Sequence, residues 1–306
     1  MSGILILEQT LNGLQFGLML FLLAAGLTLV FGIMDMINLA HGSLYMIGAY
    51  LAATLVQATG SFVGGIGLAL VATALVGMAL EVAVLRRLYA RDHLSQVLAT
   101  FALILIANET VRLVWGPQPM MLNPPAALAG PVELLPGFSY PAYRLLIIGV
   151  GLAVAGLLFA LVTRTRVGML VRAGASNREM ATAMGVDIKR LFTAVFGAGA
   201  ALCALAGAML GPLFAVQVGM GESILILAFV VIVIGGIGSI RGALVGSLLV
   251  GVVDTIGRAF LPPLLRGALP SEVASNLGPA LASIVIYLLM AVILFWKPQG
   301  LFPARG

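Results

Sequence analysis

Charge is the scarcest commodity in this chain of 306 residues: only 9% of positions are Asp, Glu, Lys or Arg, where a soluble domain carries about one quarter. Lysine is almost absent. The two present, Lys189 and Lys297, follow Ile188 and Trp296, so no GxxxxGK[ST] loop exists and the chain cannot bind ATP in the P-loop manner. The single cysteine, Cys203, excludes an intrachain disulfide, and its apolar surroundings point to inert packing. Two distant histidines, His41 and His93, form neither an HExxH pair nor a metal cluster with one cysteine. No serine stands in a GxSxG elbow, which leaves an intramembrane hydrolase without its signature. The first 85 residues contain no Lys or Arg. The start therefore lacks a basic n-region, and the first span itself is expected to target the chain in place of a cleavable signal.

What remains is hydrophobic: 61% of the residues are apolar and mean hydropathy is +1.16. Segments between charged clusters are long enough to cross a bilayer, which takes about 20 residues. Nine spans are expected, at 11–33, 41–58, 62–85, 94–115, 141–163, 191–216, 222–240, 243–262 and 276–296. The expected fold class is all-α: a polytopic integral membrane protein with about eight or nine transmembrane helices and a broken or re-entrant segment near residues 32–50, forming one domain over 1–306. The net charge of +5 reflects topology and is not a nucleic-acid signal. With alternating spans, twelve of the sixteen Lys and Arg residues fall on one side, leaving Arg112, Arg144, Arg258 and Arg266 near the other. The positive-inside rule makes the rich side cytoplasmic, with the N-terminus outside. Segments 116–141 and 262–279 then face outward; the first, rich in Pro and Gly, reads as a structured cap. Trp115, Tyr140 and Trp296 suit interfacial anchors.

One stretch breaks the apolar pattern. GIMDMINLAHGSLYMIGAY, residues 32–50, carries Asp35, Asn38 and His41 with Gly32, Gly42 and Gly48. Ionisable groups and helix breakers are costly in hydrocarbon, but polar, Gly-rich backbone is tolerated where it lines a cavity or is buried in protein. Two readings stand: a cytoplasmic turn with Asp35 and His41 solvated, or a broken helix that supports a translocation path through Asn38, His41, Gly42 and Gly48. A short echo, INLAHG at 37–42 and IGSIRG at 237–242, hints at an internal repeat.

The loop 164–190 reads RTRVGMLVRAGASNREMATAMGVDIKR. Ser176 as N-cap with Glu179 three residues on fits a capping box, a helix then runs from Glu179 through Met184, and Gly185 stops it. That helix exposes Met180, Ala181, Ala183 and Met184 beside charges, as a partner protein with a groove would require; a helix lying on the membrane surface is the alternative. Within the spans, Glu109/Arg112 and Asp254/Arg258 share helix faces and mask each other, Glu81 sits about a turn from Arg86, and Glu222 begins a span where the helix dipole favours a carboxylate.

At these residues the chain resembles the LivH-type permeases of branched-chain amino acid ABC transporters. The resemblance is carried by LTLVFGIMDMINLAHGSLYMIGAYLA (27–52), RAGASNREMATAMGVDIKRL (172–191), VVIVIGGIGSIRGALVGSLLVGVVDT (230–255) and PQGLF (298–302), in that order. It implies a pathway subunit of an importer in the bacterial inner membrane, paired with a second, homologous permease, driven by two cytoplasmic ATPases that hold ATP and Mg, and fed by a periplasmic solute-binding protein. It binds no cofactor itself. The solute would be a branched-chain amino acid or a related amide, urea or small carboxylate. The 164–190 loop would couple to the ATPases through Ser176, Arg178, Glu179, Met180, Ala183, Met184 and Gly185. The competing reading is an autonomous ion- or proton-coupled carrier using Asp35, His41, Glu109 or Asp254.

Overall fold

The computed structural model describes residues 3–267 and 269–303. Its α-helices are α1 (Gly3–Met34), α2 (His41–Thr59), α3 (Phe62–Ala83), α4 (His93–Trp115), α5 (Ala142–Arg164), α6 (Arg166–Ser176), α7 (Arg178–Ala183), α8 (Ile188–Leu210), α9 (Met220–Gly235), α10 (Ile240–Leu265) and α11 (Ser271–Trp296). A two-stranded antiparallel hairpin, β1 (Pro131–Leu135) and β2 (Phe138–Pro141), lies between α4 and α5. The fold class is the all-α polytopic membrane protein that composition implies. Polar side chains punctuate it. Ser61, Asp92, Thr165, Asn177, Asp187 and Ser239 each accept a backbone N–H of the helix they precede, a contact worth about 1 kcal/mol apiece.

The bundle is organised around α1, whose residues Leu18 to Ala25 are fully buried. Small residues let backbones approach where lipid is as apolar as leucine. A methyl group on Gly17 would lie 2.7 Å from the Ser247 carbonyl of α10. One end of α1 is tied to the hairpin face, where Asn12 Oδ1 accepts from the Tyr140 hydroxyl and from Arg144. The other end is tied to the basic face, where the Arg178 guanidinium donates to the Ile33 carbonyl at 3.0 Å.

Among the described residues, seven helices are long and apolar enough to cross a membrane: α1, α3, α4, α5, α8, α10 and α11. The remaining two expected spans are of another kind. After α1 stops at Met34, Asp35 adopts a left-handed backbone, φ 48°, a conformation Asp tolerates better than most residues. Residues 35–40 then turn back into the bundle, and α2 starts beside Gly26, in the last third of α1, and beside Gly199 and Cys203 in the central part of α8. α9, which covers only Met220–Gly235, is shorter than the expected 222–240 span. It follows an irregular 211–219 segment that is pinned on the hairpin side by the Met120–Val216 bridge. Gly42 and Gly221 touch so closely that a Cβ on either would collide with the other's carbonyl. The starts of α2 and α9 therefore meet at mid-depth, and the helices run to opposite faces, α2 to Gly60 near the hairpin and α9 to Gly235 on the basic side.

The echoing stretches 37–42 and 237–242 each lead into a helix, α2 and α10, and Gly42 itself packs against Gly221. Two expectations are corrected here. Tyr140 is no wet anchor. The hairpin folds it over Asn12, leaving it 1% exposed. Trp115 turns inward, donating from Nε1 to Thr54 Oγ1 at 2.7 Å and packing on Tyr50. Trp296 alone of the three is exposed.

Candidate functional site

At mid-depth, Asn38 and His41 are fully buried. Asn38 Oδ1 accepts the Ala40 N–H at 3.0 Å, which shapes the re-entrant turn. Its Nδ2 has no partner among the described residues. His41 Nε2 lies 3.0 Å from Cys203 Sγ, while Nδ1 makes no well-formed hydrogen bond, with the Leu23 carbonyl of α1 nearby. An unsatisfied buried polar atom costs about 1–3 kcal/mol, so these two hold capacity that the packed helices do not use. Gly48 packs against Ala204 of α8. Of the four residues, Gly42 lines a cleft, together with Ser43, Ile104, Asn108, Glu222 and Leu225. The cleft is too narrow here for a water molecule. Asn108 went unremarked in the sequence, and Glu222 was assigned only to a helix end. The available signal was the Gly219-Met220-Gly221 break immediately before that carboxylate.

On the basic face, α6 and α7 lie between α5 and α8. Here the capping box is corrected. Ser176 ends α6, and the N-cap of α7 is Asn177, extended at φ −153°, whose Oδ1 accepts from Met180 N–H at 2.9 Å. Ser176 is taken up as the last residue of α6, a helix the sequence reading did not contain, and with Asn177 as the cap Glu179 comes one position too early to reach back. The stop is as expected: Gly185, at φ 86°, donates to Thr182 and Val186 donates to Ala181, a Schellman arrangement that favours glycine. Glu179, Met180, Ala183 and Met184 are exposed, Met184 at 80%. Ala181 is buried instead, facing the bundle. Arg178 also turns inward, lying over the Phe192 ring as well as bonding Ile33.

A polar cluster braces the same face. Glu81, fully buried on α3, accepts from Arg86 at 2.9 Å, from the Tyr89 hydroxyl at 2.8 Å and from Thr193 of α8 at 2.7 Å. Burial, and then the bond to Glu81, hold the Tyr89 hydroxyl well above its ordinary pKa. Tyr89 stacks edge-on against Phe192, the ring beneath Arg178. α7 is thus linked through Arg178 to the end of α1, where the re-entrant segment begins, and through Phe192 to α3.

Beneath these elements lies a cavity of about 1270 Å³. Its walls include Gly32 near the end of α1 and Asp35 just after it, Ser176 to Glu179, Ile237 to Arg241, and Leu301 and Phe302. The last two residues donate backbone N–H groups to the Ile234 and Gly235 carbonyls at 2.9 Å, closing the end of α9. Segments far apart in sequence are thereby gathered at one end of the bundle.

The sequence profile described as branched-chain amino acid transport system / permease component matches residues 9–294. The high-affinity branched-chain amino acid transport system permease protein BraD of Pseudomonas aeruginosa is 29% identical over 309 residues, covering 96% of this chain and 95% of its own length. LivH of Escherichia coli, which bears the same description, is 31% identical over 270 residues, 83% of this chain and 87% of its own. The fructose import permease FrcC of Rhizobium meliloti is 36% identical over 103 residues, 31% of this chain and 29% of its own. No solved structure gives a significant match. A multi-pass helical bundle with a profile match over nearly its full length belongs to the family of permease components of branched-chain amino acid transport systems.

Proposed function

We propose that this chain is the permease subunit of a binding-protein-dependent ABC importer in the bacterial inner membrane, moving branched-chain amino acids or a related small polar solute. It works with a homologous permease, two cytoplasmic ATPases that hold ATP and Mg, and a periplasmic binding protein. The observation that carries this reading is the construction of α7: Met180 and Met184 project outward, while Arg178 on the same short helix grips the end of α1. A partner that seats the methionines in a groove and moves under ATP would pull on α1 and on the re-entrant segment that follows it. Displacing that segment would open the junction at Gly42 and Gly221 and expose Asn38, His41, Gly42 and Gly48 to the solute. The unpartnered Asn38 and His41 nitrogens would then replace part of the solute's hydration, since each unsatisfied polar group costs several kcal/mol in hydrocarbon. The local match to a fructose permease leaves the choice of solute to the lining residues.

The test is reconstitution of the complex in proteoliposomes with Met184→Asp. Uptake should fall about tenfold or more, with binding of the ATPases weakened, while amount in the membrane and melting temperature stay at the wild-type level. Asn38→Leu should lower uptake with ATPase binding intact. Wild-type uptake by Met184→Asp, or transport by this chain without ATPases and nucleotide, overturns the reading.

A further inference from the structure

Glu222 stands in the first turn of α9, next to Gly221. Gly221 touches Gly42, which lies one residue from His41, and His41 packs against Gly26 of α1 and against the central part of α8 at Gly199 and Cys203. Glu222 also borders Ile104 and Asn108 in the middle part of α4. Each neighbour places the carboxylate in the central depth of the bundle. Even so, Glu222 is exposed on the surface of the chain. Its Oε1 accepts from Asn108 Nδ2 at 2.6 Å, and among the described residues no cation pairs with it; the nearby Arg112 is engaged by Glu109 at 3.0 Å. The start of a helix favours a carboxylate by about 0.3–1 kcal/mol. That falls short of the cost of an acidic group facing hydrocarbon at the bilayer centre, about 2.5 kcal/mol or more. The stripe continues on α4, where Asn108, Glu109 and Arg112 run from this depth toward the hairpin face. A row of polar groups at these depths is not a lipid-facing surface.

We propose that the surface where α4 meets the start of α9 lines the solute path, and that Glu222, oriented by Asn108, receives the ammonium end of a zwitterionic solute. An amino acid leaving water at this depth needs a counter-charge for its ammonium group, and Glu222 presents an acceptor, Oε2, with no partner among the described residues. The cleft beside it opens onto Gly42 and Ser43, which joins this surface to the re-entrant segment. The second permease closes the far side. The ammonium role rests on the reading of the chain as an amino-acid permease; the location of the path does not.

Two measurements separate these. Glu222→Cys and Asn108→Cys, in the assembled complex in proteoliposomes, are exposed to a membrane-impermeant cationic methanethiosulfonate. Leu157→Cys, on the exposed side of α5, serves as the lipid-facing control, and native Cys203 is buried. Positions 222 and 108 should be modified and 157 spared. If 222 and 108 stay unmodified with and without ATP, the surface is lipid-facing or a dry contact with the second permease, and the path assignment falls. Glu222→Gln is then compared with wild type for uptake of leucine and of 4-methylpentanoate, which lacks the amine. Leucine uptake should drop about tenfold or more, as expected for loss of a charged hydrogen bond, with complex assembly and ATPase stimulation by loaded binding protein retained. Unchanged leucine uptake refutes the ammonium role. A wild-type complex that moves no leucine refutes the amino-acid reading and the ammonium role with it, while the labelling still decides the path.

Discussion

α1 and α4 are both apolar enough to span a membrane, and they occupy opposite surroundings. In α1, 83% of the most apolar window is buried inside the bundle; in α4 the figure is 17%. The buried helix carries no Lys or Arg, and its approach to neighbours is set by glycines. The rim helix carries Asn108, Glu109 and Arg112 on its accessible side. This inverts the rule for soluble proteins, where polarity marks the outside. On the proposal made above, a polar rim position marks a surface that lipid does not cover, and an apolar one can face either lipid or core.

The contrast can be broken by substitution. Gly17→Leu should have the largest effect. Its Cβ would lie 2.7 Å from the Ser247 carbonyl and 2.9 Å from Leu248 Cα, both backbone that cannot step aside, so a loss of ~3 kcal/mol or more is expected. Yield of folded protein in detergent and its melting temperature report it, and a wild-type melt would show that the α1–α10 contact is looser than described. Glu81→Ala comes next. It strips Arg86, Tyr89 and Thr193 of a common buried acceptor, which should cost about 2 kcal/mol and lower the melting temperature without unfolding the chain. The smallest effect should come from Leu113→Ala on α4, where the side chain is 86% exposed. A change within about 0.5 kcal/mol is expected; a large drop would place that side of α4 in a packed contact.

Local chemistry was legible where a side chain acts on its own backbone. Gly185 as the stop of α7 and the paired charges of Glu109 with Arg112 and Asp254 with Arg258 follow from spacing, and the structure places them so. The N-cap of α7 was misread by one residue because Ser176 and Asn177 are both competent caps, and only the length of α6 selects between them. The inward turns of Arg178, Ala181, Trp115 and Tyr140 had no signature in the sequence, since each depends on what packs opposite.

By itself, the sequence determined that the chain crosses a membrane many times, which segments break the apolar pattern, where most helices begin and end, and which family it joins. These follow from hydropathy, caps and motif residues, all of them local. Tertiary structure decided depth and facing: that α2 and α9 start at mid-bundle against each other, that Asn38 and His41 are sealed while Glu222 is open, and that four distant segments meet around one cavity. The physical reason is that lipid and protein interior are nearly equal as solvents for an apolar side chain. Hydrophobicity therefore cannot tell the inward face of a spanning helix from the outward one; close contact between small residues does that, and such contact exists only once the helices are packed.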